Sequence, residues 1–550
     1  MAKKKSQHIE KLSISIPLAS HSKTSCRLAS LELMIKRSHE ISEKMATVIE
    51  HFRQAGITVQ SHISLQLSDN ELYLKNAFHN CSDFVMRKIK ITNNPNYSAI
   101  LAYIDGMVKQ DLIEESVIKK LTAKPADATY SPDSENYVQY LLGIRPEDIH
   151  EDPSKVVESI LNSKLILLVD GVNKGLTIDF KNPPARNVEQ PEAELSLRGP
   201  KEGFTESIRT NTCLIRRKIK NINLKMESHT LGKQTKTDIA VCYLSGIAND
   251  KIVNEVRMRL HKIKIDSVMG SNYIEEYIQD SPFFIFPTIF HTEKPDVVAS
   301  KILEGHVAII VDGTPVVLTV PCLFVDFMKT LDDYYLKFIP ATLNRWVRYL
   351  SFLLSVTFAG FYVALLTFHQ ELIPDALIIT IIKSRAGVPF PLMWECFAML
   401  FTYEVLREAG IRMPRMIGPA VSIAGALVIG QAGVEAGLVS TLTVVVIGFT
   451  AITSLTIPSP EMAVSQILPR FLLLLLSGTL GMLGLAGGMM ILFINMISAR
   501  SFGVPYMSPL APLTVDELSD VVVRAPLWTM IKRSKLITWQ QSLRRKPKSP

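Results

Sequence analysis

The chain has 550 residues, a formal net charge of +8 at pH 7, and 47% hydrophobic and 20% charged side chains. This length predicts about three domain-sized units. The six cysteines form no CxxC pair, so neither a disulfide framework nor a cysteine zinc site is expected. The basic residues are not interleaved with aromatic side chains, so a nucleic-acid partner is not expected either.

The first segment is polar and basic. Residues 1–30 are rich in Ser and Lys, which predicts a flexible polar arm. No apolar segment follows Lys3, Lys4 and Lys5. We therefore expect no secretory signal and a soluble part that stays in the cytoplasm.

The soluble part contains two pairs of matching apolar runs that end in glycine. They are residues 100–106 (ILAYIDG) with 240–246 (AVCYLSG), and residues 165–171 (LILLVDG) with 307–313 (VAIIVDG). A short apolar run that ends in Asp-Gly is typical of a buried strand entering a turn, because glycine accepts a positive φ. The matched spacing favours a duplication over coincidence. It predicts two α/β subdomains of related plan, at residues 31–155 and 160–335, the second with a long insertion.

Familiar catalytic motifs are absent from the sequence, which contains no GxxxxGK[ST], HExxH or GxSxG. Residues 198–203 (RGPKEG) could hold an anion, but a tight surface turn is the simpler interpretation. The run 216–220 (RRKIK) favours a solvated face or a subunit contact. Residues 291–296 (HTEKPD) carry metal-capable side chains at a turn-like spacing rather than a ligand spacing. We therefore expect no catalytic residues, no cofactor and no metal.

Four later stretches carry no charged residue over a membrane-spanning length: residues 349–370, 416–434, 436–460 and 471–499. A helix needs about 20 apolar residues to cross the hydrocarbon core, so they predict four complete spans in a transmembrane bundle at residues 346–499. Trp346, between Arg345 and Arg348, is typical of an interfacial anchor at the start of a span. Four spans return the C-terminus to the side of the N-terminus. The basic tail at residues 500–550 favours the cytoplasmic side.

One apolar segment of the predicted bundle, residues 389–410, is interrupted by charges. The charges are Glu395, Glu404, Arg407 and Glu408. The last three fall at i, i+3 and i+4 on one helical face, where they could pair locally. Because such a segment crosses lipid only at high cost, we expect a re-entrant or interfacial helix. A fifth span whose glutamates face the bundle interior is the alternative.

The second uncharged stretch is dominated by small residues, which let helix backbones approach closely. A stripe at helical spacing could line a pore if several copies surround one axis. Its members are Ser422, Gly425, Ala426, Ile429 and Gly433. Glu435, just beyond the stripe, could form an acidic ring that favours cations. Helix packing alone is the simpler alternative.

Several long motifs, read in order, resemble the A subunit of GerA-type spore germinant receptors. They are residues 103–106 (YIDG), 198–218 (RGPKEGFTESIRTNTCLIRRK), 312–321 (DGTPVVLTVP), 406–412 (LREAGIR), 420–440 (AVSIAGALVIGQAGVEAGLVS) and 501–512 (SFGVPYMSPLAP). The resemblance covers nearly everything from about residue 70 to the end. Two positions depart from it. Lys294 replaces the arginine of the family's usual TERPD pattern and keeps its charge. Leu400 stands where the family commonly has an acidic residue, so a possible membrane-proximal carboxylate is absent.

The resemblance implies a multipass protein of the inner spore membrane that helps to start germination. It implies two partners, a transporter-like B subunit that binds the nutrient and a lipoprotein C subunit. It also implies a homo-oligomer, a pentamer, that acts as a nutrient-gated cation channel. Candidates for subunit contact or for coupling between the two parts are Arg198, Lys201, Arg209, Arg216, Arg217 and Trp346.

Three alternatives remain open at this point. A related homologue encoded with the dipicolinic-acid uptake proteins shares the fold. A secondary transporter would show inverted repeats and polar groups at mid-membrane, and neither is evident in the sequence. A membrane-tethered enzyme would act through residues 198–203 or the two Asp-Gly turns.

Overall fold

The computed structural model describes residues 62–91, 98–122, 142, 148–180, 199–413, 418–530, 533–534 and 536–538. The predicted polar arm, residues 1–30, lies outside these described residues. Within them, the chain forms an α/β module that is followed by a helical region. This agrees with the two-part organisation predicted from composition.

The first α/β unit is built, within the described part of the chain, on a five-stranded antiparallel sheet. Its strands are β1 (Phe84–Lys90), β2 (Ser98–Ile104), β3 (Ile149–His150), β4 (Leu165–Val169) and β5 (Gly175–Ile178), in the spatial order β1-β2-β4-β5-β3. Its helices are α1 (Leu67–Ala77), α2 (the consecutive segments Gln110–Ile113, Glu114–Ile118 and Lys119–Thr122) and α3 (Pro153–Leu161). Ile100 and Ala102 of β2 pack against α1 and α3, whereas Leu101 and Tyr103 pack against α2. Because both faces of the sheet are covered, the strand is apolar along its whole length.

The second α/β unit repeats this plan, again with five strands in the described residues. Its strands are β6 (Leu224–Leu231), β7 (Thr237–Leu244), β8 (Phe290–Thr292), β9 (Val307–Val311) and β10 (Val317–Val320), in the order β6-β7-β9-β10-β8. Its helices are α4 (Ile208–Lys218), α5 (Asp250–Lys262), α6 (Ser271–Ile278) and α7 (Pro295–Glu304). Helices α4 and α7 cover one face of the sheet, and α5 and α6 cover the other.

The duplication extends to single hydrogen bonds at the first helix of each unit. The side-chain amide of Asn70, in α1, bonds both backbone groups of Ser64, at 2.9 and 2.7 Å. The amide of Asn211, in α4, does the same with Thr205, at 2.8 and 2.5 Å. Both asparagines are buried, so each satisfies its polar atoms by fixing the segment that leads into its helix.

The two predicted Asp-Gly turns are also equivalent. Asp170 accepts a hydrogen bond from the backbone N–H of Leu67 at 3.2 Å. Asp312 accepts one from the backbone N–H of Ile208 at 2.9 Å. The glycine that follows each aspartate has a positive φ, 79° in the first turn and 83° in the second. The prediction of strands that enter glycine turns is confirmed at both places.

The predicted limit between the subdomains, at residues 155–160, falls inside the first unit. Strand β4 follows this limit in the chain, yet it pairs with β2 from Ala99↔Val169 to Ala102↔Ile166. Helix α3, which the limit cuts, packs on the same sheet. The first unit therefore extends at least to Ile178, and the helices of the second begin at Ile208.

The helical region follows a short helix, α8 (Asp332–Tyr335). Its elements are α9 (Phe338–Phe368), α10 (Asp375–Arg385), α11 (Leu392–Arg412), α12 (Gly418–Glu435), α13 (Thr441–Leu455), α14 (Pro460–Ser465) and α15 (Ile467–Ser498). Helix α9 packs along α15 and α13, and α11 packs along α12, α13 and α15. Gly481, with a φ of 63°, interrupts α15 with a kink, a common effect of glycine in a long helix.

Of the helices in the described residues, two are long and apolar enough to cross a membrane, Phe338–Phe368 and Pro460–Ser498. Four complete spans are therefore not reproduced. The predicted span at residues 436–460 is reduced to α13, with 15 residues, or about 22 Å at 1.5 Å per residue. Ser440 caps its start by accepting a hydrogen bond from the Thr443 N–H, and Pro458 follows its end.

Helix α11 corresponds to the predicted re-entrant or interfacial segment. It is one continuous helix of 21 residues that packs within the bundle. Glu395 is buried and Glu404 is mostly buried. The inward direction of these two glutamates is the one that the alternative predicted, and polar partners inside the bundle offset the cost of their burial. Helix α11 is not among the candidate spans of the described residues.

The described part of the predicted basic tail, which reaches Thr538, is part of the folded module. Ser501 donates a hydrogen bond to the carbonyl of Thr288 at 2.7 Å and accepts one from the N–H of Cys322 at 2.9 Å. Thr538 forms a bridge with Ala248, which precedes α5. The chain thus returns from the helical region to the second α/β unit.

Candidate functional site

The junction between the α/β module and the helical region is held by a buried cluster of charges. Arg345, in the second turn of α9, lies 3.0 Å from Asp333 and 3.1 Å from Asp520. Arg348 lies 2.8 Å from the same Asp333. The side chains of Arg345 and Asp333 have no solvent-exposed surface. Burial alone would raise the pKa of the Asp520 carboxyl. The nearby positive charges of Lys329 and Arg345 together have a larger, opposite effect, so this pKa lies below its usual value.

The C-terminal segment is fastened to the start of α9 beside this cluster. The hydroxyl of Tyr334 donates a hydrogen bond to Asp520 at 2.7 Å. The indole N–H of Trp346 donates one to the carbonyl of Val522 at 3.0 Å. Trp346 therefore lies at the junction, with half of its surface exposed. The segment around residue 520 is the third member of the junction, with α8 and α9.

A second contact between the two parts is made by a cluster of carboxylates and one imidazole. His291 of β8 lies 2.6 Å from Glu461 of α14. Glu275 of α6 lies beside them, and one ligand atom from each of the three residues lies within 4.8 Å of the others. Burial raises the pKa of the Glu275 carboxyl to about 7; the nearby Glu461 adds to this rise and His291 opposes it.

A cavity of about 520 Å³ lies between β8, α7, α8 and the segment that leads into α14. Its polar walls carry both signs of charge. The ionisable residues in its lining are His291, Lys294, Lys301, Glu304, Asp326, Lys329 and Asp332. Lys301 lies 3.4 Å from Asp326, and its ammonium lies 4.1 Å from the centre of the Phe290 ring. The cavity could admit water and small ions to the junction.

Inside the helical bundle, the charges of α11 have partners on other helices. Glu404 lies 2.9 Å from the buried Arg470 of α15 and 2.8 Å from Arg407. Arg470 also donates a hydrogen bond to the carbonyl of Ser355, in α9, at 2.7 Å. The predicted pairing on one face of α11 is thus confirmed for Glu404 with Arg407. Glu408 is different, because it is exposed and pairs with Arg412, outside the predicted trio.

Glu395 is held at a separate place in the bundle. Its carboxylate accepts a hydrogen bond at 2.5 Å from the N–H of Ser440, the N-cap residue of α13. Its other oxygen lies 3.7 Å from Arg385 of α10. Three helices therefore meet at this carboxylate.

The stripe predicted to line a pore lies on α12, which packs along α11. A side chain added at Gly425 would meet Leu406 of α11 at 3.0 Å, so this position serves close packing. Ile429 and Glu435 are exposed in the single chain. The side chains of Ser422 and Ala426 lie outside the described residues. Gly433 would meet Val439 at 3.0 Å, at the turn that follows. A pore requires several copies, so pore lining stays a prediction.

Two predicted subunit-contact residues instead contact the other α/β unit of the same chain. Arg216 makes two hydrogen bonds of 2.9 Å to Asp83 of the first unit and has no exposed surface. It is therefore not available to another subunit, and a solvated face is also excluded for it. Arg209 lies 3.5 Å from Asp105, also of the first unit.

The other contact candidates have different surroundings. Arg217 pairs with Glu202, within the second unit, at 2.5 Å. Lys201 is exposed, and Arg198 lies outside the described residues. A subunit-contact role for these three residues stays a prediction.

Sequence reasoning missed the charges that do most to organise the molecule. Arg345 and Asp520 are 175 positions apart, and neither belongs to a recognisable motif. Arg470 stands directly before a charge-free stretch. This single arginine at the edge of an apolar stretch is the one local sign that a carboxylate partner, here Glu404, lies inside the bundle.

A two-unit α/β module, joined by buried ion pairs to a helical region with candidate membrane spans, defines a class of membrane-associated protein. Residues 72–536 match the family described as Bacillus/Clostridium GerA spore germination protein. The chain is 41% identical over 489 residues to spore germination protein KA of Bacillus subtilis (strain 168), with 88% of each chain covered. It is 39% identical over 437 residues to spore germination protein B1 of the same organism, with 79% of this chain and 90% of that protein covered. This chain belongs to the GerA spore germination protein family, as its motifs predicted.

A solved structure is also similar to part of the chain. The crystal structure of the N-terminal domain of the A subunit of the Bacillus megaterium spore germinant receptor GerK3 is 36% identical in sequence. The matched region covers 48% of this chain and 98% of that domain, and the TM-score is 0.38.

Proposed function

We propose that this chain is a membrane subunit of a spore germinant receptor, and that copies of it assemble, as a pentamer, into a nutrient-gated cation channel. The receptor lies in the inner spore membrane, with the α/β module and the C-terminal segment on the cytoplasmic side. A transporter-like B subunit binds the nutrient, and a lipoprotein C subunit completes the assembly. Family membership supports the role in germination.

The observation that carries the channel proposal is the placement of charge in the helical region. Glu395, Glu404 and Arg470 are buried among apolar helices, where ionisable groups are expensive and commonly mark ion pathways. The small-residue helix α12 packs along the helix that carries both glutamates. Two of its described side chains, Ile429 and Glu435, are exposed in the single chain and open to a neighbouring copy. Several copies would bring Glu435 into an acidic ring at one end of a narrow path.

The junction provides a means of coupling. A change in the module can act on α9 through Arg345, and on the α13–α15 connection through the contact of His291 with Glu461. Binding of nutrient elsewhere in the receptor would then shift a closed-to-open equilibrium of the bundle.

Replacement of Glu435 by Gln tests the channel role of α12. The substitution removes the charge of the proposed ring but keeps the side-chain shape, so we expect cation release to slow severalfold. Spores that carry the variant as their receptor subunit are exposed to a panel of amino acids, sugars and nucleosides, and released K⁺ is measured. Glu408→Gln is the matched control, because Glu408 is exposed on α11 and, among the described residues, its ion pair is with Arg412. Unchanged K⁺ release from Glu435→Gln spores with normal protein levels would contradict the proposal.

The alternatives give different results. A secondary transporter would show saturable substrate uptake by the purified chain in liposomes, whereas the proposed subunit shows none without its partners. A membrane-tethered enzyme would hydrolyse phosphoesters. The homologue encoded with the dipicolinic-acid uptake proteins would copurify with those proteins instead of with the B and C subunits.

A further inference from the structure

Three potential metal ligands meet where the helical region touches the second α/β unit. They are Glu275 of α6, His291 of β8 and Glu461 of α14. One ligand atom from each lies within 4.8 Å of the other two. The residues come from three separate elements, so the cluster is produced by the tertiary fold and is not a local turn.

The carboxylates of the cluster are incompletely satisfied by the surrounding side chains that the structure describes. His291 Nδ1 and Glu461 Oε1 lie 2.6 Å apart. The other oxygen of Glu461 is shielded from solvent and has no hydrogen-bond partner among the described residues. A shielded carboxylate oxygen without a donor is unfavourable. A divalent cation bound between the two carboxylates and the imidazole would supply this missing partner, and it would favour the ionised form of both carboxylates.

The cluster is also accessible. His291 is one wall of the 520 Å³ cavity at the junction, and Pro460, the neighbour of Glu461, is another. A metal site needs a route for the ion and room for water ligands where the protein supplies fewer than four. The cavity provides both on the side of His291.

We propose that Glu275, His291 and Glu461 bind one Zn²⁺ ion. Zn²⁺ accepts imidazole nitrogen and carboxylate oxygen together, with water in the remaining position. Imidazole is a poor ligand for Mg²⁺ and Ca²⁺, which prefer oxygen. Two ligands on a tetrahedral Zn²⁺ ion lie about 3.4 Å apart, so the hydrogen bond between His291 and Glu461 opens as the metal takes its place.

The metal would join the α/β module to the connection between α13 and α15. Because two ligands belong to the module and one to the helical region, binding favours the arrangement in which the two parts are docked. This inference does not depend on ion conduction by the protein.

The test uses the full-length chain in detergent after removal of metals with a chelator. ZnCl₂ is titrated by calorimetry, and bound zinc is counted by elemental mass spectrometry. We expect one Zn²⁺ per chain and a rise in the unfolding temperature on binding. Each of the variants Glu275→Gln, His291→Gln and Glu461→Gln should weaken binding by about a hundredfold or more, since loss of an outer-shell partner alone costs about 10–100-fold.

His229→Gln is the matched control. His229 also lies beside a glutamate of the module, Glu227, at 3.9 Å, but Arg257 already occupies that carboxylate. This variant should bind Zn²⁺ like the unmodified chain. If a histidine variant fails to fold, the Zn²⁺ affinity of Glu461→Gln decides the test. Glutamine keeps the shape of the glutamate side chain and can still form a hydrogen bond with His291.

Visible spectra with Co²⁺ in place of Zn²⁺ provide a second readout. Absorption bands typical of bound Co²⁺ should appear with the unmodified chain and be lost with His291→Gln. The proposal is overturned if the chain takes up no stoichiometric Zn²⁺. It is equally overturned if Glu461→Gln binds Zn²⁺ as tightly as the unmodified chain.

Discussion

The two α/β units share a framework but differ in what they contact. The strand order, the buried asparagines and the Asp-Gly turns are repeated. At the turn before the fourth strand, the first unit has Lys164, partly exposed and 3.6 Å from Asp148. The second unit has His306 there, 1% exposed, which donates a hydrogen bond to the carbonyl of Pro321 at 2.8 Å. The two units therefore share the hydrogen bonds that shape their fold. The contacts with the helical region are made by residues that are not part of this shared set.

The first unit is joined to the second through a buried pair and a short stretch of backbone. Ser82 donates to the carbonyl of Met226 in β6 at 2.8 Å, and Asp83 follows directly with its contacts to Arg216. The position of the first unit relative to the helical region therefore depends on the second.

The largest expected effect comes from Asp83→Ala. The substitution leaves the guanidinium of Arg216 buried without its carboxylate, which typically costs about 3–5 kcal/mol. Amide hydrogen exchange in β1 and β6 of the full-length chain should become about a hundredfold faster or more, because the contact between the units opens more often.

Glu202→Ala is the control for this comparison, because it removes the partner of Arg217, a partly exposed pair worth about 1 kcal/mol or less. Equal exchange rates in the two variants would show that the buried pair does not hold the units together.

A smaller effect, in the second unit alone, is a dependence of stability on pH. Burial lowers the pKa of His306 to about 4, from an ordinary value of 6.5, and Lys301 adds to the decrease. Between these values the unfolded chain binds a proton that the folded chain excludes. The free energy of unfolding therefore falls as the pH drops from 6.5 towards 4, by at most about 3 kcal/mol.

The measurement is the unfolding temperature at pH 7 and pH 5. His306→Gln should reduce the decrease between the two, because glutamine can donate to Pro321 and does not titrate. His261→Gln, at an exposed histidine of α5, should leave the decrease unchanged. An equal decrease in all three proteins would assign the pH dependence to other groups.

Much of the module follows from local sequence. The runs that end in residues 170–171 and 312–313 predict strands and turns because alternation, burial and the conformation of glycine act over a few residues. The bundle was harder to predict. Composition located most of its helices but not the cap at Ser440 that shortens α13, and it left the direction of Glu404 open between two alternatives.

The junction could not be predicted from local patterns. Arg345 with Asp520, and His291 with Glu461, are pairs formed by residues that are far apart in the chain. The sequence around one residue of such a pair does not indicate its partner, because only the tertiary fold brings the two residues together. Trp346 lies at the junction, and its role as an interfacial anchor stays a prediction from a local signal.

The central claim is that the buried charges at the junction connect the α/β module to the helical bundle. The most direct measurement is K⁺ release from spores that carry Arg345→Gln, Asp520→Asn or both, with Arg412→Gln as the exposed control. The account predicts slower release in each single variant and little further loss in the double variant, since both residues act through one contact. Release at the normal rate in both single variants, with normal amounts of protein in the membrane, would contradict it.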